Sequence, residues 1–203
     1  MIGRRLACAA ALALLAVPVR AQMVALPLGT VLRGKFTQRR YLEGFDRPLE
    51  SGGLFVLVSG RGLIWRATAP FPMLTVMGAG GLVQQAAGGA TSKLDSAKVP
   101  FLAKLYQVFA AALAGNVDEL SDVFVVTPEA RHAGWRVRLR PKAAGGPAMP
   151  IRDIVIEGSR FVEQVEVFRA TGDKDVVEFS DQVASNGPVD AEEARALALV
   201  ERR

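Results

Sequence analysis

The chain has 203 residues, of which 50% are hydrophobic and 22% charged, with one cysteine and one histidine. A chain of this length forms one domain, or two only if both are small. Its apolar content excludes a disordered polar protein. Its net charge of +5 would suit a nucleic-acid partner only if the basic residues belonged to the folded domain.

Residues 1–21 have the pattern of a secretory signal. A basic start (MIGRR) precedes an apolar stretch, and Val19 and Ala21 are the small residues required before the cleavage site. Cleavage after Ala21 removes three arginines and no acid, so the net charge falls from +5 to +2 and nucleic acid is no longer an expected partner. Cleavage also removes Cys8, the single cysteine of the sequence. We therefore expect residues 22–203 to be a single exported, soluble domain without thiol, disulfide or lipid anchor.

Most of the remaining chain has the patterns of β-strands. Residues 32–41 alternate between apolar and polar side chains, which is typical of a sheet with one wet face. Two hairpins follow, with runs at 53–58 and 63–67 joined by SGRG, and runs at 73–77 and 82–85 joined by GAGG. Further strands are predicted at 123–127, 135–140, 151–157, 161–169 and 176–179.

Two helices are predicted among these strands. Apolar residues recur at spacings of three and four over residues 100–114, with Pro100 suited to the first turn and Gly115 to the end. A shorter helix at 190–200 has Asp190 as its N-cap. About ten antiparallel strands in chain order predict one meandering sheet, which must close or curl around a cover. An uncovered apolar concave surface is usually a ligand or partner site.

Residues suited to catalysis or metal binding are scarce. His132 lies in a polar turn where we expect a solvated imidazole, so neither a Ser-His-acid arrangement nor a zinc site is expected. Several acids lie close together in the sequence, and two could serve a glycosidase, but wet strand faces and turns account for most of them: Glu157, Glu163, Glu166, Asp173 and Asp175. Arg136, Arg138 and Arg140 alternate with apolar residues, which indicates a solvated strand face more than an anion site. We expect no enzyme, metal or cofactor.

Several short motifs follow one another over residues 30–180. FTQ (36–38) and RPLESGG (47–53) are followed by GLIW (62–65) and APF (69–71), then by GNVDELSDVF (115–124), LRP (139–141) and TGD (171–173). In order and spacing they resemble the periplasmic outer-membrane lipoprotein carrier family, the LolA-like proteins.

The resemblance implies an α+β, mainly β fold, namely an incomplete antiparallel β-barrel formed by a single curled sheet, with helices covering its concave apolar face. It also implies a monomeric periplasmic carrier of acyl chains from lipoproteins or other (glyco)lipids, moving from the inner to the outer membrane. The implied partners are this acylated cargo, an inner-membrane exporter and an outer-membrane acceptor, with transient membrane contact. A buried methylene contributes about 0.8 kcal/mol, so an acyl chain needs a cavity that replaces the bilayer.

Two departures make the chain similar to a divergent branch of the family, associated with dedicated lipid or glycolipid export. Ser59 and Gly60 stand where the carriers have an Arg-Pro pair, whose arginine is associated with holding the lid closed. Only residues 22–29 precede the first strand, which leaves little room for the family's long N-terminal helix.

The cavity that the resemblance implies is assigned to ten apolar residues, with Met73 and Met77 at its mouth: Phe36, Phe55, Leu57, Trp65, Val76, Leu105, Phe109, Trp135, Val137 and Phe179. The same residues would equally suit a dry core. Two alternatives therefore stay open. One is an interaction or sensor module on the same fold, with a filled core and an exposed apolar patch, and the other is a hydrolase with two carboxylates.

Overall fold

The structure is a computed structural model that describes residues 25–95, 100–142 and 151–201, without the side chains of residues 100–105. The predicted signal at 1–21 lies outside the described residues, and both its cleavage and the single domain 22–203 stay predictions. Within the described part of the chain, no helix has the length and apolar composition needed to cross a membrane.

The described chain is built mainly from strands. The strands are β1 (Val31–Tyr41), β2 (Leu49–Val58), β3 (Gly62–Ala69), β4 (Met73–Gly78), β5 (Gly81–Ala86), β6 (Thr91–Asp95), β7 (Phe124–Glu129), β8 (Trp135–Pro141), β9 (Ile151–Gly158), β10 (Val162–Arg169) and β11 (Lys174–Ser185). The helices are α1 (Pro100–Ala114) and α2 (Ala191–Ala198), with a 3-10 turn at Val117–Leu120. The predicted helix at 100–114 is confirmed, and α2 begins after Asp190 as expected.

Three strands differ clearly from the sequence prediction. Strand β2 begins at Leu49, four residues before the predicted run 53–58. Strand β6 was not predicted because all its residues are exposed, so it has no apolar alternation and is held by its pairing with β5. Strand β11 extends well beyond the predicted 176–179. Its second half pairs with the start of β1 across a bulge between Arg33 and Lys35. This half contains polar residues, so it has no apolar run that would predict a strand.

All the strands form one antiparallel sheet, in the order β6-β5-β4-β3-β2-β1-β11-β10-β9-β8-β7. The strands are thus not in simple chain order. The chain runs outward from β1 to the β6 edge, passes through α1 to the opposite edge at β7, and returns until β11 pairs with β1. Since the two edges are not joined, the sheet is the incomplete barrel that the resemblance implies.

The sheet is packed on one face along most of its strands and on the other face over β1 to β5. We call the face toward α1 the inner face; its core joins residues from nearly every strand, from Leu82 of β5 to Phe124 of β7. We call the opposite face the outer face; over β1 to β5 it is covered by α2, in a second core of Val31, Val58, Ile64, Val76, Val83, Ala196, Leu197 and Val200. Helix α1 therefore lies on the inner face, whereas α2 lies on the outer face.

Local chemistry explains where α2 begins and why it packs closely. The Asp190 carboxylate accepts hydrogen bonds from the backbone N–H groups of Glu192 and Glu193, and Glu193 accepts one from the Asp190 N–H, which completes a capping box. A Cβ on Gly62 would lie 2.8 Å from Leu197 Cδ2. The missing side chain at Gly62 thus lets the helix approach the sheet.

Candidate functional site

The inner face is lined by apolar side chains that alternate with outward-facing residues along each strand. Leu32, Leu57 and Leu63 are completely buried at the end of the sheet near Ser59. The last turns of α1 are buried in the same core, with three alanines, Ala111, Ala112 and Ala114, beside the larger Leu113. Small residues let a helix lie close to a sheet, so this end of the inner face is tightly closed.

Five aromatic rings form a cluster at the middle of the inner face. Trp65 stacks on Phe36 with ring centroids 3.7 Å apart. It makes edge contacts with Phe109 of α1 at 6.3 Å and with Phe179 of β11 at 6.1 Å, and Phe179 meets Phe55 edge-on at 5.3 Å. Such ring pairs contribute about 0.5–1.5 kcal/mol beyond their buried area.

The cluster depends on long-range pairing as well as on the sequence pattern. Phe36 lies opposite Phe179 in the β1–β11 register, and Phe55 lies opposite Trp65 in the β2–β3 register. A Cβ on Gly34 would lie 2.7 Å from the Phe55 ring. The glycine therefore provides the space into which that ring packs.

The structure places eight of the ten predicted residues in the inner core, namely Phe36, Phe55, Leu57, Trp65, Phe109, Trp135, Val137 and Phe179. It does not bring Val76 to them. Val76 packs on the outer face against α2, because Met77 is the residue of β4 that turns inward. The side chain of Leu105 lies outside the described residues. Met77 is buried in the core, whereas Met73 is 37% exposed at the opposite end of β4.

A polar cluster ends the inner face where β1 finishes and β11 begins. The Asp175 side chain is only 6% exposed. Its Oδ1 accepts from Gln38 Nε2 at 3.2 Å and Arg40 Nε at 2.7 Å, and its Oδ2 accepts from Arg169 Nη2 at 2.8 Å. Burial opposes ionisation, but the hydrogen bonds from Arg40 and Arg169 outweigh it and hold the Asp175 pKa below its ordinary value.

The expectation that Asp175 lies on a wet strand face or turn is wrong, because its side chain is buried. A signal was present on β1, where Gln38 and Arg40 continue the alternation of Leu32 and Phe36 and so face inward. Nothing in the sequence paired these residues with a carboxylate more than a hundred positions away.

The end of α1 is held near the turn that carries Ser59. The Leu26 N–H donates to the Ala114 carbonyl oxygen at 2.7 Å, and Ser59 Oγ donates to the Leu26 carbonyl oxygen at 3.3 Å. Ser59, at one of the two positions where the family has its Arg-Pro pair, therefore contacts the segment that caps the C-terminus of α1. These bonds fix the C-terminal end of the helix.

The other candidate chemical groups lie outside the inner face. His132 is exposed between β7 and β8. Arg136 donates to Glu129 at 2.9 Å and to Glu157, and Arg138 donates to Glu129. The arginine row is thus neutralised by acids on neighbouring strands. Within the described ranges, no group of three His, Cys, Asp or Glu side chains could hold a metal.

A groove of about 590 Å³ lies on the outer face, between α2 and the ends of β3 to β5. Its apolar floor includes Leu74 and Leu199, and Arg66 and Glu192 form an ion pair at its rim. The aromatic cluster lies on the other side of the sheet. We place the candidate site at the cluster, because there the aromatic rings, the covering helix and the polar end occur together.

The sequence matches the family model of the outer membrane lipoprotein carrier protein LolA-like proteins over residues 9–196. No curated protein is similar enough in sequence to match.

Solved structures with a similar fold include a LolA superfamily protein from Nitrosomonas europaea, with 9% identity and a TM-score of 0.42, covering 83% of this chain and 91% of that one. A domain assigned to outer membrane lipoprotein sorting in Vibrio parahaemolyticus has 10% identity and a TM-score of 0.45, with coverage of 84% and 92%. The MucA/MucB complex of Pseudomonas aeruginosa has 10% identity and a TM-score of 0.44, and the match covers 80% of this chain and 54% of that one.

The family match spans nearly all of the chain, and the open sheet with a helix across its inner face is the fold that the motifs imply. The protein therefore belongs to the outer membrane lipoprotein carrier LolA-like family.

Proposed function

We propose that this protein is a soluble periplasmic carrier that binds the acyl chains of lipoproteins or other lipids on its inner face and moves them from the inner to the outer membrane. The supporting observation is the aromatic cluster beneath α1. It is a continuous group of apolar side chains buried inside an open sheet, and the same face of the sheet ends in polar residues where a headgroup can stay hydrated. Family membership supports the same function.

The cluster is closed by the protein's own side chains, so cargo must displace some of them. Phe109 is a half-buried residue of α1, and its ring contacts the central Trp65. The C-terminal end of α1 is held by Leu26, and we expect the rest of the helix to move outward. An acyl chain would then replace the contact between Phe109 and Trp65. Each buried methylene of the acyl chain contributes about 0.8 kcal/mol, which offsets the packing energy lost when Phe109 moves away from Trp65.

Phe109→Glu tests this function. A carboxylate beside Trp65 would have to be desolvated against an acyl chain, so we expect at least about tenfold weaker binding of a fluorescent fatty-acid probe. Gln107→Glu is the matched control, since it adds the same charge to an exposed position of α1 and should bind like the wild type. Circular dichroism checks that both variants fold. Equal binding by Phe109→Glu and Gln107→Glu would contradict a site beneath α1.

The cargo class can be found without a probe. Native mass spectrometry of the mature protein from its own periplasm, with lipid extraction, should reveal a bound acylated species. Protein that carries no adduct and also fails to bind the fatty-acid probe would overturn the carrier function.

One observation favours a second function, an envelope interaction or sensor module. The inner core is filled by its own side chains, while Phe45 and Phe71 are 69% and 79% exposed in loops at one end of the sheet. Exposed aromatic residues of this kind suit a protein partner. A stable complex with an envelope protein, lost in Phe45→Ser/Phe71→Ser, together with absence of lipid binding, would favour this function over the carrier.

A further inference from the structure

The inner face changes from apolar to charged along β1. Leu32 and Phe36 belong to the buried core, and Gln38 and Arg40 follow on the same side of the strand. At a rise of about 3.3 Å per residue, the backbone of Arg40 lies about 13 Å beyond that of Phe36. This length suits a ligand with an apolar part at the aromatic cluster and a polar part at Arg40.

Two arginines meet one buried carboxylate at this end of the inner face. Arg40 and Arg169 share a single carboxylate, that of Asp175. Asp175 keeps its negative charge despite burial, since these hydrogen bonds hold its pKa low. These three ionised groups together carry one net positive charge, and the carboxylates of Glu43 and Asp173 lie in the loops beyond them, where Asp173 Oδ1 accepts from the Glu43 N–H at 3.0 Å.

The two guanidinium groups keep donors that Asp175 does not use. Arg40 donates to Asp175 through Nε, and Arg169 donates through Nε and Nη2. Both Nη groups of Arg40 and Nη1 of Arg169 have no acceptor within the described part of the chain. The two side chains are 45% and 35% exposed, so these donors can reach a ligand. The buried carboxylate holds both arginines in place.

An apolar residue lies beside these donors. Leu49 is opposite Arg40 in the β1–β2 register, so the two side chains share a face, and Leu49 is 60% exposed. An exposed leucine next to half-exposed guanidinium groups suits the junction between an acyl chain and a charged headgroup.

We propose that Arg40 and Arg169, positioned by Asp175, bind the anionic headgroup of an acylated lipid whose chain occupies the aromatic cluster. The proposal rests on the proposed carrier function and adds the chemical class of the cargo: an acyl chain that ends in a phosphate or carboxylate. Guanidinium groups bind such oxyanions through paired, charge-assisted hydrogen bonds. A lipid with a neutral headgroup lacks that interaction.

The test compares two ligands with the same palmitoyl chain, both below their micellar concentrations. One is lysophosphatidic acid and the other is monopalmitoylglycerol, and their dissociation constants are measured by calorimetry. We expect wild-type protein to bind the anionic lipid about tenfold more tightly. Arg40→Gln should lose most of this preference and bind the neutral lipid as before.

Arg39→Gln is the matched control. It removes the same charge from the adjacent residue, which lies on the outer face and pairs with Glu50 and Glu178, and it should keep the preference for the anionic lipid. If Arg40→Gln fails to fold by circular dichroism, Arg169→Gln provides the same comparison. The comparison of the two ligands also tests the headgroup site on wild-type protein alone.

Each remaining outcome contradicts a different claim. Equal binding of the two lipids by wild-type protein would overturn the headgroup site and leave the carrier function standing. Binding of neither lipid would overturn the carrier function itself. Inorganic phosphate is the third probe, and if it binds as tightly as lysophosphatidic acid, the site serves a free anion and the headgroup proposal is wrong.

Discussion

The outer face of the sheet has two halves of opposite character. Over β1 to β5 it carries buried aliphatic residues such as Ile64 and Val76, which pack against α2. Over β7 to β10 it carries ion pairs instead, such as those of Arg136 with Glu129 and Glu157. Strands β1 to β5 are thus buried on both faces, whereas strands β7 to β10 are buried on the inner face and solvated on the outer face.

The difference follows from which strands have a second cover. Strands β2 and β3 contain continuous apolar runs, LFVLV and LIW, whereas β8 alternates strictly as WRVRLR. Continuous runs are typical of strands covered on both faces, and alternation is typical of strands with one wet face. We therefore expect substitutions under α2 to cost far more stability than substitutions in the ion-pair half.

The largest expected difference is between two valines of the outer face. Val76 is completely buried, whereas Val125 on β7 is 50% exposed. We expect Val76→Ala to lower the free energy of unfolding by about 2 kcal/mol, because it leaves a cavity under α2. Val125→Ala should change it by less than about 0.5 kcal/mol. Urea unfolding measures both, and equal losses would mean that α2 does not seal this half.

A smaller effect is expected at the ion pair that joins α2 to β1. Arg33 donates to Glu193 at 2.6 Å, and the Glu193 side chain is 11% exposed. Glu193→Gln should lower the free energy of unfolding by about 1 kcal/mol at neutral pH, since Gln keeps the cap and the packing but loses the charge. Glu192→Gln, at the more exposed next position, should have little effect.

This ion pair also predicts a pH dependence. The hydrogen bond from Arg33 holds the Glu193 pKa below its ordinary value in the folded protein. The stabilisation from the ion pair is therefore fully present above the pKa of Glu193 in the unfolded chain, about 4.3. It is lost as the pH falls through the lower pKa of Glu193 in the folded protein. The difference between wild type and Glu193→Gln should shrink in acid. A difference that stays constant down to strongly acidic pH would show that the charge plays no part.

The smallest effect is expected in the ion-pair half. Hydrogen bonds from Arg138 and Arg136 lower the Glu129 pKa. Its side chain is nevertheless 27% exposed, and water screens such pairs. Glu129→Gln should lower the free energy of unfolding by about 0.5 kcal/mol, and the loss should become smaller as the salt concentration is raised. A salt-independent loss as large as that of Val76→Ala would remove the distinction between the two halves.

Much of the local structure was predictable from the sequence. The strand WRVRLR, the helix at 100–114 and the Asp190 cap each carry a local signal of periodicity or capping. Strand β6 was not predictable because its five exposed residues have no pattern. Eight predicted site residues meet in the inner core, but Val76 does not, since a continuous apolar run shows that both faces are buried without showing which residue faces which way.

The sequence by itself determined which residues share a face in a strictly alternating strand such as β8, where both helices begin, where α1 ends, and that Cys, His and metal chemistry has few candidates. Only the tertiary structure decided which face is covered by which helix. It also decided that β1 pairs with β11, which brings Arg40 to Asp175 across 135 positions and Phe36 to Phe179. The physical reason is that periodicity acts over a few residues, whereas the pairing of distant strands depends on the closure of the whole chain.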